Sequence, residues 1–164
     1  MSQSSDAAST QYLSFFLAGE EFALGILQVK EIVEFDTVTR VPGSPPWVRG
    51  VTNLRGSVLP VIDLAVKFGL PPCTVTRRSC TVVVELTAQD ERVVMGVLVD
   101  SIGQVLEFSS TEVEQPPAFG SPLGGEYLVG MGRSGKKFVL LLDIGRVLSG
   151  HELLATGVAR GAAA

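Results

Sequence analysis

Few residues in this 164-residue chain are of types that do chemistry, and they form no catalytic set. The single histidine, His151, has no serine and aspartate in an order that suggests a triad. The two cysteines, Cys73 and Cys80, do not make a CxxC pair, and one histidine cannot complete a zinc site with them. Asp63 and Asp143 each stand between an apolar run and a short helical stretch, where capping a helix accounts for them. Gly130-Met131-Gly132, followed by Arg133 and Ser134, is too short for a nucleotide fingerprint, and no P-loop is present. The expectation is a protein that is not an enzyme and uses no metal or cofactor. What stands out instead is a polar pair, Asn53 and Arg55, set among apolar residues at a tight turn. In one reading Asn53 bonds the turn and Arg55 is a solvated loop charge. In the other, both meet a partner.

The elements that must position this pair lie in Val48 to Gly69. Gly50 to Leu54 reads as a strand, and Arg55-Gly56-Ser57 as a turn in which Gly56 is free to take a positive φ. Val58 to Ile62, rich in β-branched residues, returns as a second strand. Pro60 cannot donate to a ladder, which predicts an edge strand or a bulge. Asp63 then caps a short helix, Leu64 to Phe68, closed by Gly69 at C′.

The rest of the chain repeats this plan. Residues 1–11 read as a flexible polar tail. Strands are expected over Tyr12–Leu17 and Glu21–Gly25, followed by a brief helical spacing at Ile26, Val29, Ile32 and Val33 and then an extended piece, Ile32 to Phe35. The proline loop around Pro45-Pro46 leads into the central hairpin, and Pro71–Arg78 is a connector. Strands are expected again over Thr81–Leu86, Arg92–Val99 and Ile102–Phe108. A second proline loop with Pro116-Pro117 precedes a second hairpin, Glu126–Gly132 and Lys136–Leu142, capped by Asp143. Val33-Glu34-Phe35 parallels Leu106-Glu107-Phe108, Gly50-Val51 parallels Gly130-Met131, and Ile62-Asp63-Leu64 parallels Leu142-Asp143-Ile144. Gly25-Ile26-Leu27 parallels Gly96-Val97-Leu98 in the same way. Short strands with Gly/Pro turns are the pattern of small barrels, so 12–78 and 79–150 are expected to be two β-barrel halves. Residues 151–164 form a tail that frays or extends the last helix. The second turn has no Asn-x-Arg, so the scaffold can be built without one, which favours function for Asn53 and Arg55.

The stretch GVTNLRGSVLPVIDL resembles the signature of CheW-like domains, the coupling proteins of bacterial chemosensory systems. The match runs through GVxNLRG, a Pro-containing apolar strand and IDL. It departs at Ala65, where many members carry Arg, and it extends over about Tyr12 to Gly150. The resemblance implies a mainly β fold of two small five-stranded SH3-like β-barrels packed side by side with short helices. It also implies a non-enzymatic adaptor that couples the cytoplasmic tips of methyl-accepting chemoreceptors to the regulatory domain of a CheA-type histidine kinase. Positions matching Ile26, Val29, Ile32, Ile102 and Val105 lie at or near the groove that meets the receptor tip. Positions matching Glu31 and Arg55, beside Asn53 and Gly56, are implicated in coupling. Some of the five apolar residues are equally expected to be plain core.

Composition agrees with this and bounds the rivals. Hydrophobic residues make up 46% of the chain, yet no run is long enough to span a bilayer. The start, MSQSSDAASTQ, has neither a basic nor an apolar leader segment. The expected place is therefore the cytoplasm, recruited to receptor arrays at the inner face of the membrane without insertion, with both thiols free. The formal charge of −4 argues against nucleic acid as a partner. Outside arrays a monomer is expected. The alternatives that stay open are a small-ligand sensor using the seam between barrels as its pocket and a nucleic-acid-binding barrel.

Overall fold

The computed structural model describes residues 9–88, 90–115 and 127–147. The proline loop at 116–125, His151, Gly150 and most of both tails lie outside the described residues. Among the described residues, eleven strands form two sheets. In chain order the strands are β1 (Thr10–Leu17), β2 (Glu20–Gly25), β3 (Val29–Glu34), β4 (Val48–Leu54) and β5 (Ser57–Asp63). Then come β6 (Cys80–Ala88), β7 (Glu91–Val99), β8 (Ser101–Phe108), β9 (Val113–Glu114), β10 (Leu128–Ser134) and β11 (Lys137–Leu142). Two short helices, α1 (Leu64–Lys67) and α2 (Ile144–Val147), each follow a capping aspartate. The expected class, mainly β with short helices, is the observed one.

The five-stranded sheet runs β3-β6-β7-β5-β4 and the six-stranded sheet runs β8-β1-β2-β11-β10-β9. This corrects the expected division at the connector, because sheet pairing crosses it. The hairpin β1–β2 belongs to the first half of the chain but pairs with β8 and β11 of the second. The hairpin β6–β7 pairs with β3 and β5 of the first. The internal repeat is nevertheless present, with its hairpins exchanged. Ile62 pairs with Val97 where Leu142 pairs with Leu24, and Ile32 pairs with Val82 where Val105 pairs with Leu13. By this register Val29 matches Ile102 and Ile32 matches Val105. Gly96 matches Ala23, so the Gly25–Gly96 leg of the expected repeat is out of register.

The exchange is stabilised by where the apolar residues go. The largest core lies between the sheets and takes Leu13, Phe15 and Leu24 from one and Val82, Met95 and Val97 from the other. An aromatic file crosses it, Phe15–Phe22–Phe68–Tyr127, with ring centroids 6.2, 5.7 and 5.6 Å apart. The opposite faces bury smaller clusters, one around Val61 and Leu98 and one around Tyr12, Phe108 and Leu141. Each sheet is thus buried on both faces, as a curled sheet packed against a twin must be.

Local details follow from residue type. Asp63 Oδ1 accepts from the Ala65 N–H at 3.1 Å, and α1 ends in a Schellman motif: Gly69 (φ 79°) and Leu70 donate to Val66 and Ala65. Pro60 does not mark an edge, because β5 is interior. It precedes the first parallel pair with β7, Val61↔Gly96, and the ladder irregularity sits in β4 between Val48 and Gly50. Gly50 (φ 145°) lets the passing chain come close: Thr39 exchanges two 2.8 Å backbone bonds with Val51, and a Cβ on Gly50 would overlap the Thr39 carbonyl oxygen.

Candidate functional site

Helical spacing at Ile26–Val33 does not survive as a helix. Ile26–Gln28 is a single 3₁₀ turn, and Val29–Glu34 is a strand in which inward and outward residues alternate. β-branched residues and a neighbour awaiting a partner strand outweigh a short helical period. This alternation separates the five apolar candidates. Ile26, Val29 and Ile102 are partly buried and pack on the central core, so the plain-core reading holds for them. Ile32 and Val105 point outward, 42% and 54% exposed, at matching positions of the two edge strands β3 and β8. The seam between the barrels is the filled core of the protein rather than an open groove lined by all five.

The polar pair sits on the five-stranded sheet. Arg55 (φ 52°) and Gly56 (φ 87°) are both left-handed, the signature of a two-residue type I′ hairpin, flanked by the pair Leu54↔Ser57. Asn53 Oδ1 accepts from the Gly56 N–H at 2.7 Å, which is the turn-bonding role. Arg55 does not wave in solvent. Its Nη1 and Nη2 donate to Glu31 Oε2 and Oε1 at 2.7 and 2.6 Å, a bidentate pair. β3 and β4 are the two edges of this sheet, so the pair crosses the gap at which the sheet closes on itself. The Arg55 hydrogen bonds hold the Glu31 carboxyl below its ordinary value, and Glu31 in turn raises Arg55.

Around this clasp lies a groove of about 350 Å³, lined by Leu54, Val58, Val83 and Val94 with Lys30 and Arg92 at its rim. Lys30 and Arg92 share one carboxylate, Glu85, at 3.6 and 2.7 Å. Sequence reasoning missed Lys30, Glu85, Arg92 and the exposed Val58. Strand alternation from Val29 onward was the available signal, and the helical reading hid it. The other sheet lacks the clasp: register puts Gln104 at the position of Glu31 and Gly135 at that of Arg55. Its ion pair, Arg133 with Glu114, stands elsewhere and covers the Phe138 ring.

The remaining titratable groups support structure. Asp63 is 2% exposed and also accepts from the Cys73 N–H and from Arg49 Nη1, at 3.1 and 3.2 Å, tying the connector to the first sheet. Burial pushes the Cys73 thiol up to about 12 and raises Cys80 as well, so both are poor nucleophiles. No group of three or more His, Cys, Asp or Glu that could hold a metal occurs among the described residues, and no helix there is long and apolar enough to cross a membrane.

A protein-family profile described as a CheW-like domain matches residues 11–152. The chain is 35% identical over 148 residues to Chemotaxis protein CheW of Klebsiella aerogenes, covering 90% of this chain and 87% of that protein. It is 32% identical over 145 residues to Chemotaxis protein CheW of Treponema pallidum, covering 87% and 84%. Among solved structures, the scaffolding protein TtCheW of Thermoanaerobacter tengcongensis superposes with a TM-score of 0.74 at 25% identity, covering 85% of this chain and 92% of that one.

Proposed function

Because the chain belongs to the CheW-like domain family, we propose that it is a non-enzymatic chemosensory adaptor: it couples the cytoplasmic tips of methyl-accepting chemoreceptors to the regulatory domain of a CheA-type histidine kinase. It works in the cytoplasm, at receptor arrays. Its mechanism is binding, in which pre-formed surfaces fix the relative placement of two partners so that a change in one is felt by the other. The observation that carries this reading is the Glu31–Arg55 clasp. A bidentate charge pair held at a barrel mouth, beside the exposed Val58, offers both register and apolar contact. Its absence from the twin sheet supports a role other than building the barrel. Ile32 and Val105 are the outward apolar contacts, Asn53 and Gly56 shape the turn, and Ile26, Val29 and Ile102 support the surface from beneath.

The test is a pair of titrations, one with a receptor tip and one with a kinase regulatory domain, beside a melting curve. Arg55→Glu would face Glu31 with a like charge and is expected to weaken binding to at least one partner by about tenfold or more, as for a charged residue at an interface centre. Unchanged binding to both by a folded variant returns Arg55 to a barrel clasp alone.

A further inference from the structure

The twin sheets supply an internal control for the groove beside the Glu31–Arg55 clasp. Register matches Leu54, Val83 and Val94, three of its apolar lining residues, with Ser134, Ser14 and Glu21 of the other sheet. Lys30 falls at the ladder irregularity of β3, where β8 has Gly103. Arg92 has no counterpart: β1–β2 turns back after Leu17↔Glu20, while β6–β7 runs on through Thr87↔Arg92 and Ala88↔Glu91. A sheet of this plan is therefore built without an apolar floor or a cationic rim at this place. The groove is an addition to the scaffold, as the clasp is.

Its charge runs against that of the chain. The formal net charge is −4, yet three of the four charged residues lining the groove are cations, Lys30, Arg55 and Arg92, against Glu31 alone. The carboxylates lie beneath the cations that they pair with. Glu31 and Glu85 keep 26% and 31% of their side-chain surface exposed, Arg55 and Arg92 67% and 75%. Each carboxylate turns both oxygens to a cation, Glu31 to Arg55 and Glu85 to Lys30 and Arg92. What faces outward around the apolar floor is thus positive. The groove's volume of about 350 Å³ is more than twice the ~150 Å³ of a cavity that holds benzene, enough for a large apolar side chain.

We propose that this groove docks an acidic amphipathic segment of a partner protein. An apolar side chain of the segment enters between Leu54, Val58, Val83 and Val94, and carboxylates beside it meet Lys30, Arg55 and Arg92. The apolar floor supplies affinity, and the rim rejects a basic segment of equal apolarity. The inference rests on the adaptor reading for which protein supplies the segment, and on the groove alone for the chemistry of that segment.

The probes are two short amphipathic helical peptides with identical leucine spacing, one with glutamate and glutamine at the polar positions, the other with lysine and glutamine. Each is titrated into the whole chain carrying labelled valine methyls and followed by NMR. The net charge of the chain by itself favours the lysine peptide, so a preference for glutamate reports the local field. The expected result is that the glutamate peptide moves the Val58, Val83 and Val94 methyls and binds about tenfold or more tighter than the lysine peptide. Added salt narrows the gap. The Lys30→Glu, Arg92→Glu chain, shown folded by its melting curve, reverses the preference. Equal binding of the two peptides, a preference for lysine, or shifts confined to other valines overturns the proposal. The same variant is then titrated with the kinase regulatory domain and with the receptor tip, and the one that supplies the segment binds about tenfold weaker. A wild-type chain that binds neither ends the adaptor reading, while the peptides still decide this one.

Discussion

Arg55 carries a backbone cost that its side chain explains. A left-handed φ is unfavourable for an arginine, and Asn-Gly is the preferred pair for a type I′ turn. Arg55→Asn should therefore keep the melting temperature or raise it, while removing the bidentate contact with Glu31. If the clasp serves partners, the same variant binds the receptor tip or the kinase domain about tenfold or more weaker. A variant that melts much earlier would show that the clasp holds the barrel shut. The pH dependence follows from the direction of the shift. Arg55 hydrogen bonds lower the Glu31 pKa in the folded chain. The stability contributed is present above the unfolded carboxylate value and is lost as pH falls through the lower folded value. A carboxyl-carbon NMR titration should thus place the Glu31 midpoint below the ordinary carboxylate range, and Arg55→Asn should return it there.

At the scale of elements, the two capping aspartates offer a comparison inside one molecule. Asp63 and Asp143 occupy matching positions, and each accepts from the N–H two residues on, Ala65 or Gly145. Asp143 is half-exposed, and its added partner is a long 3.7 Å pair with Arg146. Asp63 is buried and also holds Arg49 and the Cys73 N–H. Asp143→Ala should cost about 1 kcal/mol, the worth of a cap. Asp63→Ala should cost about 2 to 4 kcal/mol, because it strands Arg49 and frees the connector. Denaturant unfolding of both variants measures the difference, and equal costs would mean that the Arg49 and Cys73 contacts add nothing.

At the scale of the whole molecule, the shared core between the sheets makes the two barrels one cooperative unit. Neither sheet has its full set of strands without the other half of the chain. Fluorescence of Trp47, which packs on that core beside β4, should therefore report the same unfolding midpoint as far-ultraviolet circular dichroism. Two separate transitions would show barrels that fold independently.

What the sequence determined by itself was local. Turn residues, β-branched runs and capping aspartates act over a few positions, so the central hairpin, the Asp63 cap, the Gly69 C′ and the order of the strands other than β3 and β9 were legible. The parallel of Val33-Glu34-Phe35 with Leu106-Glu107-Phe108 was legible too, because a repeat preserves order even when its pieces are exchanged. Tertiary structure decided the rest. Which hairpin enters which sheet is a choice between two nearly equivalent slots, and no local signal distinguishes them. The Ile26–Val33 stretch could satisfy a helical period or a strand, and the empty edge of β6 selected the strand. Glu31 and Arg55 are 24 residues apart, and only the curl that brings the edges of a five-stranded sheet together makes them a pair.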